Sequence, residues 1–146
     1  NKDDLTRAVL TFQTEAILNA QTPMATLGDL GAWRDSIVAA AGRQHDHGGC
    51  PLGSLSSELA NTRPWAREQL AASFTLWAQS IDDGLTAMVD NGILRTNTDT
   101  RQFALALLAA MQGGLILAQA QHTTEALEAS LDTVIQRIRE HSTSAP

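Results

Sequence analysis

Three residues in one short stretch carry the clearest chemical suggestion: His45, His47 and Cys50, spaced His-x-His-x-x-Cys among Gly48 and Gly49. Imidazole and thiolate are good zinc ligands, and a glycine-flexed loop lets three of them converge. A closed zinc site wants four ligands in paired short spacings, and here the fourth must come from His122, His141 or Asp46. The stretch therefore reads first as a solvated polar loop, with no metal and no cofactor expected. Cys50 admits a second chemistry. It stands before Pro51, which suits a first helical turn, and a helix N-terminus favours the thiolate of a redox or electrophile sensor. The plainer reading is a small buried hydrophobe. Nothing points to catalysis: a Gly-rich phosphate loop, a nucleophile elbow and a carboxylate pair placed near a histidine are all missing. Asp82 and Asp83 are neighbours on a helix and point in different directions.

The aromatic residues are few, namely Phe12, Trp33, Trp65, Phe74, Trp77 and Phe103. Phe12, Trp33, Phe74 and Trp77 fall on the apolar stripes of three expected helices. Each alone reads as core filling. Taken as a set, with Ile37 on the same stripe as Trp33 and with Met111 and Gln112 nearby, they are the candidate walls of a ligand pocket, a mostly apolar cavity with a few placed polar groups. Trp77 stands out, because a buried indole N–H needs a partner.

The elements that hold these residues are helical. In 146 residues, 43% are hydrophobic and 18% charged, with Tyr absent and Ala, Leu and Gln abundant. That is one globular domain that favours helix over sheet. A first helix is expected from about Asp4 to Gln21, with Leu5, Ala8, Val9, Phe12 and Ala16 at helical spacing, before the Thr22-Pro23 step. A second begins near Thr26, where Thr26 and Asp29 have capping-box spacing, and ends around Gly42. A short third follows Pro51 through Leu52, Leu55 and Leu59. The long fourth starts at Pro64, carries Leu70, Phe74, Trp77, Ile81, Leu85 and Met88, and stops at Gly92 as a left-handed terminator. Asp99 caps a fifth helix running to about Gln121. A sixth follows Thr123 or Thr124, with Leu127, Leu131, Val134, Ile135 and Ile138 as its seam. The sum is an all-α bundle of about six helices.

The fifth helix is apolar on all sides from Phe103 to Ala118, which fits burial between other helices better than a membrane span. Its Gly113-Gly114 pair costs roughly 1 kcal/mol per glycine relative to alanine, a cost offset where backbones approach closely. Small Ala106, Ala109 and Ala110 beside large Leu105, Leu108 and Leu117 suggest a homodimer closed by the last two helices. Leu105, Ala109, Gly113, Leu117, Leu127, Leu131, Val134 and Ile138 would make that four-helix interface. A net charge of −6 excludes this stretch as a binder of phosphate backbones by itself. A single cysteine precludes an intrachain disulfide and suits a reducing, cytoplasmic setting. The chain opens with Asn1 rather than methionine, which suggests that something precedes it.

Three stretches together resemble the C-terminal regulatory domain of TetR-type transcriptional repressors. Asn1-Lys2-Asp3-Asp4-Leu5 resembles the Lys-acidic-x-Leu segment that closes the family's helix-turn-helix head. Gly49-Cys50-Pro51-Leu52-Gly53 resembles the Gly-Cys-x-x-Gly opening of a short helix in an LmrA/YxaF-like subgroup. Asp99 with Phe103 to Gly114 resembles the penultimate helix. What the resemblance implies is a homodimer on the last two helices and a small, mostly apolar effector inside the preceding ones. DNA would be read only by heads lying before Asn1, with Lys2 touching a phosphate beside them. No enzyme activity is implied, and residues 1–146 would be one ligand-binding and dimerisation domain. The residues themselves leave open a purely structural dimerisation bundle, and a thiol- or metal-dependent sensor at Cys50, His45 and His47.

Overall fold

The computed structural model describes residues 1–43 and 49–144. Six helices follow one another: α1 (Lys2–Ala20), α2 (Leu27–Arg43), α3 (Pro51–Leu59), α4 (Pro64–Asp90), α5 (Thr100–Gln121) and α6 (Glu125–Arg139). Among the described residues the only β pairing is an isolated bridge between Leu94 and Ser142. The chain is an all-α bundle, as its composition predicts.

Local chemistry fixes where several of the helices begin and where α4 ends. Asn1 caps α1 by accepting from the Asp4 amide at 3.0 Å, and the Asp4 carboxylate accepts in return from the Asn1 backbone nitrogen. Thr26 Oγ1 accepts from the Asp29 amide, while Asp29 Oδ2 accepts from the amides of Ala25 and Thr26. Donors to the carboxylate hold the Asp29 carboxyl below its ordinary range, the Ala25 amide first and the Thr26 hydroxyl second. Asp99 caps α5 by accepting from the Gln102 amide at 2.9 Å. At the end of α4, Gly92 takes φ +72° and the Ile93 amide reaches back to the Met88 carbonyl at 2.8 Å.

The core forms along one side of α5, which packs there against both α4 and α6. From α4 come Leu70, Trp77, Ile81, Leu85 and Met88, all buried. Leu107, Leu108 and Met111 of α5 meet them, and Leu127, Leu131, Ile135 and Ile138 of α6 close the far side. Gly114 lets α5 and α6 touch: a Cβ there would lie 2.6 Å from the Leu127 Cα. A fork of hydrogen bonds ties α2 to α6, with Arg34 Nε and Nη2 each 2.8 Å from an Asp132 carboxylate oxygen. Those bonds, Asp132 first, raise the guanidinium pKa, so it is charged at every accessible pH.

Two faces differ from the sequence reading. On α1, the apolar stripe Leu5, Ala8, Val9, Phe12 and Ala16 points away from the bundle, with Phe12 66% exposed. The inward face carries Leu10, Thr14 and Ile17 instead. Thr14 and Ser73 of α4 share a hydrogen bond of 2.8 Å, and Gln69 Nε2 donates to Thr11 at 3.1 Å, so a partly polar seam holds this helix. Arg7 lies 4.0 Å above the Trp65 ring and Arg63 pairs with Asp3 at the same end.

The second difference is on α5, which is buried on one side only. Among the described residues it is the one helix long and apolar enough to cross a membrane by length and composition. Ala104, Leu107, Met111, Gly114 and Ala118 face the core, whereas Leu105, Ala109, Gly113, Ile116 and Leu117 are open. At 100° per residue the open set spans roughly 120° of the helix.

Candidate functional site

One mostly apolar cavity of about 450 Å³ opens among the first five helices. That volume lies within the range of small-molecule sites. The end of α1 supplies Ile17 and Ala20, and Gln21 and Thr22 follow it. One face of α2 supplies Trp33, Ser36, Ile37, Ala40 and Ala41. Gly49, Cys50 and Pro51 bring in the start of α3, Trp77 comes from α4, and Met111 and Leu115 come from α5.

The space exists because large and small side chains are unevenly placed. Trp33, Ile37, Ala40 and Ala41 recur at helical spacing on one face of α2, which begins with an indole and ends in two methyl groups. Ala20, Ala40 and Ala41 line the cavity beside Trp33 and Trp77, so three of its wall residues carry no more than a methyl group. No side chain that lines the cavity among the described residues carries a charge.

Trp33, Ile37, Trp77 and Met111 line this cavity. Three other candidates lie elsewhere. Phe12 stands on the outer side of α1, because the inner side is taken by the Thr14–Ser73 seam. Phe74 is partly buried against the core without lining the cavity. Gln112 turns its carboxamide toward α3, where a Cβ on Gly53 would lie 2.7 Å from Oε1. The sequence reading missed the end of α1, the small residues of α2, and Leu115. The spacing of Ser36, Ala40 and Ala41 relative to Trp33 was the available signal.

Cys50 is buried at the N-cap of α3 and forms part of the cavity wall. Its backbone carbonyl accepts from the Ser54 amide at 3.0 Å. His45, Asp46 and His47, the suggested metal ligands beside Cys50, lie outside the described residues. Two buried nitrogens, Trp77 Nε1 and Gln112 Nε2, have no hydrogen-bond partner among the described residues.

Residues 26–134 match the family model described as tetracyclin repressor-like, C-terminal domain. The chain belongs to this family. Its fold is similar to that of a TetR transcriptional regulator from Chloroflexus aurantiacus J-10-fl, with a TM-score of 0.82 at 24% identity, over 99% of this chain and 76% of that one. A TetR-family regulator from Cytophaga hutchinsonii is similar at a TM-score of 0.66 and 16% identity, over 96% of this chain and 67% of that one. No curated protein matches the chain in sequence. The tetracyclin repressor-like domain is a part of a transcriptional regulator and not an enzyme.

The suggested interface residues of this TetR-type domain divide in two. Leu105, Ala109, Gly113 and Leu117 lie on the open face of α5, and a Cβ on Gly113 would meet nothing within 4 Å. Leu127, Leu131 and Ile138 are fully buried inside the protomer, and Val134 sits between the two settings. The seam of α6 is used by its own α5. Its outward side is carried by Ala129, Thr133 and Arg137.

Proposed function

We propose that this domain senses a small, mostly apolar effector and dimerises, so that the effector alters DNA binding by helix-turn-helix heads preceding Asn1 in a cytoplasmic TetR-type repressor. The carrying observation is that the cavity uses the C-terminal end of α1 as part of its wall. The other end of that helix is where the heads would attach. A ligand seated against Ile17, Ala20 and Gln21 bears on a helix held to α4 by a partly polar seam. Moving α1 changes the separation of two heads, which must meet half-sites about one DNA turn (~34 Å) or a multiple apart. The effector acts only if it binds the two α1 positions with different affinity.

Dimerisation is supported by the open stripe on α5. Leu105, Ile116 and Leu117 are large apolar side chains left in water, and Gly113 permits close approach of a second copy. The interface would pair α5 and the outward side of α6 with their two-fold equivalents. The Gly49-Cys50-x-x-Gly53 opening supports the LmrA/YxaF-like subgroup: glycine at 53 makes room for Gln112.

Titration with apolar compounds, followed by tryptophan emission, tests the sensing function, since Trp33 and Trp77 both line the cavity. Saturable change with a dimeric particle in sedimentation is expected. A monomer whose emission no compound perturbs would overturn it. The Cys50→Ser variant keeps its response if the cavity alone senses, and loses it if the thiol is the sensor.

A further inference from the structure

Residues 49–53 touch the cavity on one side and α5 on the other. Gly49, Cys50 and Pro51 line the cavity. A Cβ on Gly49, which takes φ +130°, would lie 2.8 Å from Gln119 Oε1, and one on Gly53 would lie 2.7 Å from Gln112 Oε1. Two carboxamides of α5 therefore rest on two glycines of this segment, at separations that leave no room for a Cβ. At 100° per residue, Gln112 and Gln119 stand about 40° and 60° from Ile116, both on the same side of it. Ile116 and Leu105 belong to the open stripe, so the two glutamines form its margin. The groups that touch the start of α3 also border the face offered to a second copy.

Packing, rather than hydrogen bonding, sets this contact. Cys50 stands at the N-cap of α3 without a side-chain cap bond, and Gln112 Nε2 has no hydrogen-bond partner among the described residues. Packed elements shift between discrete arrangements instead of deforming smoothly. Resting on the sensing and dimerising function above, we propose that residues 49–53 couple the cavity to the dimer face. A ligand seated against Cys50 and Pro51 moves the start of α3 toward α5. Gly53 then displaces the Gln112 carboxamide, which intrudes on the margin of the open stripe and loosens the dimer. Such coupling is reciprocal, so the monomer takes the ligand more tightly than the dimer by the same factor.

The rate of subunit exchange between donor- and acceptor-labelled copies reads the dimer, and Gly53→Ala tests the contact without any ligand. A Cβ set against Gln112 is expected to speed exchange at least about fivefold, within the range of allosteric couplings. In a Gln112→Ala background the same substitution should change exchange less than about twofold, because the carboxamide it presses is gone. Should Gln112→Ala fail to fold, Gln112→Asn, shorter by one methylene, takes its place. Ala71→Leu, exposed on α4 and outside both the cavity wall and the α5 stripe, should leave exchange as it is. The uncharged apolar probe 9-fluorenone should speed exchange of the wild type and leave that of Gln112→Ala unchanged. Wild-type exchange in Gly53→Ala, an equal gain in both backgrounds, or fluorenone that binds without altering exchange would overturn the coupling while leaving cavity and dimer in place. A monomeric wild type would sink the dimer, and fluorenone that does not bind would sink the cavity, each taking the coupling with it.

Discussion

Helices α1 and α4 each carry a well-formed apolar stripe, and the fold treats the two stripes in opposite ways. On α4, Leu70, Trp77, Ile81, Leu85 and Met88 are buried in the core. On α1, Leu5 is 67% exposed and Phe12 is 66% exposed, and the helix is held by Thr14, Gln69 and Ser73. A hydrophobic stripe says that a helix has something to bury, but not that its own chain does the burying. The core stripe builds the scaffold. The outer one belongs to a helix that forms part of the cavity wall and is anchored on its other side by Leu10 and Ile17 together with the hydrogen bonds of Thr14 and Gln69.

Truncation should separate the two stripes most sharply. Leu85→Ala is expected to cost about 2–5 kcal/mol in urea unfolding, whereas Leu5→Ala stays within about 0.5 kcal/mol. Similar losses at both positions would erase the contrast. The same opposition runs through a single pair of residues on α5. Gly114→Ala drives a Cβ into the Leu127 backbone and should cost about 1–3 kcal/mol. Gly113→Ala meets no neighbour in the protomer, so the monomer fold should tolerate it or gain up to about 1 kcal/mol in helix propensity. If two copies close on this face, the Gly113 variant instead shifts sedimentation toward monomer at low concentration. A modest effect is expected at the α1 seam. Thr14→Val removes the bond to Ser73 while Ser73 keeps its bond to the Gln69 carbonyl, so the loss should be about 1 kcal/mol. Hydrogen exchange in α1 should rise in that variant while exchange in α4 stays slow, and equal acceleration in both would argue against a separately attached α1.

The helices, their order and most of their ends were set by the sequence alone. A cap is a contract among residues within four positions, and Thr26 with Asp29, Asp99 with Gln102, and Gly92 all met it locally. The cavity was half legible for a similar reason. Trp33, Ile37, Trp77 and Met111 announced themselves by size and helical spacing, while Ala20, Ala40 and Ala41 did not, since a methyl group marks a cavity only when nothing lies opposite. Which side of a helix faces inward depends on partners distant in sequence. Tertiary structure turned Phe12 outward, spent Leu127, Leu131 and Ile138 inside the protomer, and left Leu105, Ile116 and Leu117 in the open. Hydrophobic burial is non-directional, so periodicity fixes that a stripe exists and only the assembled bundle decides what covers it.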